Sequence, residues 1–165
     1  MPRRYRHCPH CAAALATRTE RDLARQVCTG CGFVFWQNPA VGVAVVLIED
    51  GRVLLGRRSR GAYAGQWCIP CGYVEYDEDV REAARREFEE ETGLVVELGP
   101  VRAVHSNFHN PAQHTVGIWF DARAVGGVLR AADDLDEVRF FAAPDIPAAL
   151  AFPTDRVVLR DLFGT

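Results

Sequence analysis

Two pairs of cysteines, Cys8-Pro9-His10-Cys11 and Cys28-Thr29-Gly30-Cys31, lie sixteen residues apart in an N-terminal stretch with little continuous apolar sequence. A segment of some 36 residues with that composition cannot bury a core of its own, so something other than apolar packing must hold it together. Two C-x2-C knuckles at this spacing predict a four-cysteine zinc site. Four thiolates complete a tetrahedral shell and leave no position for water, so the expected Zn²⁺ is structural and its binding supplies the missing folding energy. His7 and His10 are further possible ligands, but four cysteines already suffice. Two disulfides are the alternative, disfavoured if the chain is cytoplasmic, where thiols stay reduced.

Several observations lead to that expectation of a cytoplasmic protein. The opening "MPRRYRHCPHC" is basic but has no apolar run behind it, unlike a signal peptide or anchor. No apolar stretch reaches the roughly 18 residues that cross a bilayer. Of the 165 residues 48% are apolar and 25% charged, the balance of a globular protein. The net charge is −3 and the sequence pI about 5.9, so no chain-wide basic field draws the protein to nucleic acid.

The character changes after Asn38-Pro39, which divides a zinc ribbon over residues 1–36 from a second domain over 37–165. "VGVAVVLIED" reads as a buried strand turned at Asp50-Gly51 into its hairpin partner "RVLLGRR". The stretch from Arg57 to Asp77 is glycine-rich and expected as loop. Asp79 to Thr92 reads as a helix stopped by Gly93. Further strands are expected at "LVVELGPVRAVH", "HTVGIWFDARAV" and "EVRFFA". Two closing helices are expected, over Pro144 to Leu150 and over Asp155 to Phe163, the latter capped by Thr154. Mostly adjacent strands with a few helices make this an α+β chain with a mixed sheet covered by helices.

The helix carries Glu87, Glu89, Glu90 and Glu91 within five residues. At about 100° per residue, Glu87 and Glu91 fall within about 20° of Val80, on the face shared with Ala83, Ala84 and Phe88. Glu82 and Glu89 face the other way with Arg85. Two acids therefore point inward at the end of the helix where the backbone dipole is already negative. Arg86 neutralises part of this charge, and a divalent cation held by carboxylate oxygens would neutralise more. An ordinary solvated acidic face is the competing reading of such a run.

From Gly72 to Leu94 the chain matches G-x5-E-x7-R-E-U-x-E-E-x-G-U, with U apolar, at every specified position, and thereby resembles the Nudix box. Leu54-Leu55, Arg57-Arg58, Gly65-Gln66-Trp67 and Ile69-Pro70 resemble that family's approach to its box. The resemblance implies a mixed sheet in an α/β/α sandwich. It also implies a Mg²⁺- or Mn²⁺-dependent pyrophosphohydrolase acting on a small nucleotide, a nucleoside diphosphate joined to another group. By motif position Glu87, Glu90 and Glu91 would hold the catalytic metal, Arg86 would orient a glutamate, Gly72 would let the loop turn tightly, and Glu78 would support them. Hard oxygen ligands suit these ions, which lower the pKa of a bound water for in-line attack. The general base would be Glu87 or an acid of "DDLDEVRFF", where Asp134 and Glu137 precede Phe140; an exposed acidic turn is the plain alternative for those two.

A zinc ribbon ahead of a Nudix domain resembles the NADH pyrophosphatase arrangement. Only a serine, an aromatic and a proline of that group's S-Q-P-W-P-F-P-x-S signature are echoed in "HSNFHNPAQHT", which leaves ADP-ribose and other dinucleotides or nucleotide sugars open. Candidate substrate contacts are Arg57, Gly72, Phe108 and His109; His105, His109 and His114 do not suit a hard-cation site. Cys68 and Cys71 form a third C-x2-C without a partner pair, so no second zinc is expected, and Cys71 stands where the family commonly has glycine. The rival reading makes the ribbon, with Arg3, Arg4, Tyr5 and Arg6, a nucleic-acid-binding or regulatory module beside a ligand-sensing Nudix domain. Nucleotide-capped RNA as substrate would unite the two readings, and the ribbon could also serve a homodimer contact.

Overall fold

A computed structural model describes residues 5–20 and 22–164, and they fall into two compact units that divide between Pro39 and Ala40. Arg3 and Arg4 lie outside the described residues.

The first unit is a three-stranded antiparallel sheet, β1 (Leu15–Glu20), β2 (Leu23–Cys28) and β3 (Val34–Phe35), in that order. Among the described residues its buried cluster comprises Cys8, Leu15 and Cys28, with Ala13 and Phe33 packed against them.

In the second unit β4 (Ala40–Glu49) turns through Asp50 and Gly51, at φ of 50° and 72°, into β5 (Arg52–Arg58). Two consecutive positive φ values are what the tightest hairpin turn demands and what Asp-Gly tolerates. The sheet runs β10-β5-β4-β9-β8, where β8 is Leu94–Asn107, β9 is Thr115–Gly127 and β10 is Leu135–Phe141. β4 and β9 are parallel, whereas the pairs β10/β5, β4/β5 and β8/β9 are antiparallel, so the sheet is mixed.

The unbroken apolar run of β4 follows from its position. Val43, Val45 and Leu47 pack with Ala83, Ala84 and Phe88 of α1 (Val80–Thr92), while Ala44 and Val46 pack with Val158 and Leu159 of α2 (Pro153–Phe163). Alternate side chains thus face opposite layers, and a strand covered on both faces has no polar side to show. This is the expected α/β/α sandwich.

α1 begins where Asp79 accepts from the backbone N–H groups of Arg81 and Glu82, and ends at Gly93 in the left-handed region. Three local expectations are corrected. The stretch from Arg57 to Asp77 is not all loop, because it adds two short strands, β6 (Trp67–Cys68) on β5 and β7 (Cys71–Tyr73) on β4. Pro144 to Leu150 holds only a 3₁₀ turn at Ala143–Asp145: Pro147 can neither donate a helical hydrogen bond nor let Ile146 turn helical, and Ile146 stays at ψ 126°. α2 starts at Pro153, with Phe152 rather than Thr154 at its N-cap. The Thr154 hydroxyl instead donates to Asn107 Oδ1 at 2.6 Å.

Among the described residues no helix is long and apolar enough to cross a membrane.

Candidate active site

Four thiols converge in the first unit. Cys8 and Cys31 Sγ are 3.7 Å apart, Cys11 and Cys28 Sγ 3.4 Å, and all four sulfurs lie within 4.8 Å of one another. The knuckle backbone turns toward them: the N–H groups of Gly30 and Cys31 donate to Cys28 Sγ, each at 3.3 Å, and His10 N–H to Cys8 Sγ at 3.4 Å. The Cys31 N–H is the main reason the Cys28 thiol is drawn down to about 6. The Phe33 N–H favours the Cys31 thiolate as well, yet the neighbouring Cys11 and Cys28 sulfurs push it up to about 12. Ionising all four therefore needs a cation among them, and soft tetrahedral sulfur suits Zn²⁺.

In the second unit α1 presents its acids to the segment that carries β6 and β7. Glu91 is 1% exposed, and its Oε2 accepts the Cys71 N–H at 2.8 Å. Burial first, then Cys71 and Asp134 nearby, push its carboxyl well above the usual range. Glu87 is also raised by burial, against the pull of Arg86. The loop can approach this closely only because residue 72 is glycine, since a Cβ there would meet Glu87 Cδ at 1.9 Å. The φ of Gly72 is unexceptional, so space rather than conformational freedom requires it.

One guanidinium ties the group together. Arg86 grips both oxygens of Glu78 at 2.7 and 2.8 Å, Glu87 Oε1 at 2.9 Å, Glu90 Oε2 at 3.1 Å and the Tyr73 carbonyl at 3.2 Å. Glu78 is held down at about 2 by that bond. A planar fork with five donors makes this possible; a lysine ammonium could not span it.

The acids open onto a cavity of about 410 Å³. Its wall carries Glu75, Glu87, Glu91, Asp133, Asp134 and Asp155, and among the described residues the one arginine lining it is Arg58, bonded to Asp134 at 2.6 Å. Tyr63, His109 and Phe152 line another part, their ring centroids 5.4 to 5.8 Å apart. Asp155 is buried, accepting from Ile69 N–H at 3.0 Å and Trp119 Nε1–H at 3.3 Å; burial outweighs both bonds and lifts its carboxyl to about 7.

The expected site residues separate into those at the cavity and those away from it. Gly72, Glu87, Glu91 and His109 line it. Glu90, half exposed, is not part of the lining; Arg86 links it to Glu87, which is. Arg57 and Glu137 lie outside the lining and bond to each other across β5 and β10 at 2.9 Å. Phe108 is 67% exposed and stacks edge-on against His114. Arg58, Asp133, Asp155, Tyr63 and Phe152 were not foreseen at the cavity. Strand alternation carries a signal for Arg58, since neighbouring residues of β5 face opposite ways; the pairing of Asp155 with Ile69 and Trp119 is tertiary and leaves none.

The profile of the NUDIX domain matches residues 36–162. The chain belongs to the Nudix family. Nudix proteins hydrolyse pyrophosphate bonds in nucleotide derivatives and need a divalent metal. An ADP-ribose pyrophosphatase of Methanocaldococcus jannaschii is 35% identical over 122 residues, 73% of this chain and 72% of that protein. The NAD-capped RNA hydrolase NudC of Chromobacterium violaceum is 32% identical over 152 residues, 89% of this chain but 55% of that protein, so the chain spans about half its length. Among solved structures, a Nudix hydrolase from Nitrosomonas europaea superposes with a TM-score of 0.86 at 28% identity, covering 97% of this chain and 91% of that one.

Proposed function

We propose that this Nudix protein hydrolyses the diphosphate bridge of a nucleoside diphosphate joined to a second group, with ADP-ribose and NADH-type dinucleotides as first candidates. The observation that carries the reading is the charge of the cavity wall: among the described residues it holds six acids and one arginine, a surface that would repel a diphosphate unless cations enter with it. Hard carboxylate oxygens, one of them on a glutamate that is 1% exposed, fit Mg²⁺ or Mn²⁺. Glu87, Glu90 and Glu91 would hold the ion, and the four cysteines of the ribbon would hold Zn²⁺. When bound, the catalytic ion neutralises the diphosphate and lowers the pKa of water.

The chain's own groups do the rest. The Cys71 N–H fixes Glu91 Oε2, and Arg86 fixes Glu87 against the Gly72 backbone. Burial raises Glu87, which suits a carboxylate that takes a proton from water near neutral pH. Of the two loop acids, Asp134 supports that chemistry better than Glu137, because it lines the cavity. Arg58, beside Asp134, is better placed than Arg57 to meet a phosphate oxygen. The names of the Methanocaldococcus and Chromobacterium relatives support the choice of ADP-ribose and NAD-type linkages. A cytoplasmic location and a homodimer complete the reading.

The test is turnover of NADH, ADP-ribose, dinucleoside polyphosphates and nucleotide sugars with Mg²⁺ and with Mn²⁺, beside Glu90→Gln. Turnover of one class, lowered about tenfold to a hundredfold in the variant, is expected. Absence of turnover with every compound would overturn the reading and favour a ligand sensor.

A further inference from the structure

The ribbon and the Nudix domain carry opposite charge. Residues 1–39 contain six arginines and two acids, a net +4, whereas residues 40–165 contain thirteen arginines and twenty acids, a net −7. Four thiolates on a zinc ion would reduce the ribbon to about +2, still opposite in sign.

On the ribbon this charge is arranged. Arg18 of β1 and Arg25 of β2 are direct antiparallel partners, so their side chains leave the same face of the sheet. The pairing of Gln26 with Phe35 sets Trp36 beside Arg25, completing a row across the three strands. The Arg25 guanidinium sits 4.3 Å from the Trp36 ring centroid. Trp36 is 57% exposed, and Leu23, on the same face, is 56% exposed. Among the described residues no carboxylate pairs with either arginine. Two like charges placed opposite each other cost stability, and the cation–π contact of Arg25 with Trp36 leaves Arg18 and the exposed part of the indole unmatched, so folding does not account for the whole row.

A single-stranded nucleic acid accounts for all three members. Its phosphates satisfy guanidinium groups at sheet spacing, and an unpaired base stacks on an exposed indole whose other neighbour is a cation. We propose that the Arg18–Arg25–Trp36 row of the zinc ribbon binds single-stranded RNA. Binding stands on the ribbon alone and is independent of the hydrolase reading above.

The experiment uses the full-length zinc-loaded protein and a 3′-labelled single-stranded RNA of a dozen nucleotides, with binding followed by anisotropy between 50 and 200 mM salt. Trp36→Ala and Arg25→Ala should each weaken binding about tenfold or more, and Trp36→Phe should restore most of it. Two phosphate contacts predict that log K falls with log salt at a slope of about −1.4. Zinc content equal to that of the parent shows that each variant ribbon is folded; where Trp36→Ala loses zinc, Arg18→Ala, on the outer strand, serves instead. The same variants should leave hydrolysis of free dinucleotides unchanged. Unchanged affinity in zinc-replete variants, a flat salt response, or concentration-dependent self-association through the row in place of RNA binding would each overturn the docking surface. Variant-sensitive RNA binding without hydrolysis of any substrate would leave the docking surface standing and bring down the hydrolase reading alone.

Discussion

The two units solve the same folding problem with different materials. Among the described residues the Nudix domain buries ten apolar residues on the α1 side of its sheet and eleven on the α2 side, whereas the ribbon's own cluster has three, two of them cysteines. One unit rests on area removed from water, worth about 25 cal/mol per Å². The other brings together four thiols that could hold a metal, proposed above to be Zn²⁺. A fold held by area loses stability gradually as side chains shrink, and a fold held by a metal loses it in one step.

Zinc removal should break that contrast most widely. Chelation, or Cys28→Ser, should unfold the ribbon, since structural zinc contributes about 10–16 kcal/mol. The main thermal transition and free-dinucleotide hydrolysis should remain, as read by calorimetry and zinc content. Phe88→Ala should do the reverse. It removes a side chain 1% exposed from the α1 core, costing about 3–5 kcal/mol in denaturant melts while zinc stoichiometry holds.

Two changes at the cavity sharpen the comparison within the Nudix domain. Gly72→Ala puts a methyl group into Glu87, and turnover should fall about a hundredfold, equivalent to about 2.7 kcal/mol, with a smaller change in melting. Asp155→Asn should cost about 1–2 kcal/mol, because the amide turns a donor toward either Ile69 or Trp119. The pH dependence identifies the group. An acid raised to about 7 in the folded protein keeps its proton where the unfolded chain has lost it, so parent stability falls as pH rises from about 4 to about 7 and is level above. That slope should shrink in Asp155→Asn, as followed by urea melts at fixed pH.

Features set by neighbours in the chain were legible. Asp79 and Gly93 mark both ends of α1, Asp50-Gly51 marks the hairpin, and helical periodicity turns Glu87 and Glu91 inward while leaving Glu82 and Glu89 in water. Features that depend on a distant partner were not. Thr154 has every property of a cap, but Asn107, 47 residues away, takes its hydroxyl. β6 and β7 are two and three residues long, too short for any periodicity to outweigh a glycine-rich composition. Pro147 is different: it forbids a helix from Pro144 to Leu150 by local rules alone, so that helix could have been ruled out from the sequence.

The clasp at Arg86 bears on how quickly the site could be charged and discharged. With a guanidinium already stationed among Glu78, Glu87 and Glu90, an incoming ion would exchange one positive neighbour for another, and the backbone of α1 and of the β7 segment could stay put. Loading and unloading then become matters of side-chain rotation, and crystals grown with and without the ion should superpose in their main-chain atoms around Gly72.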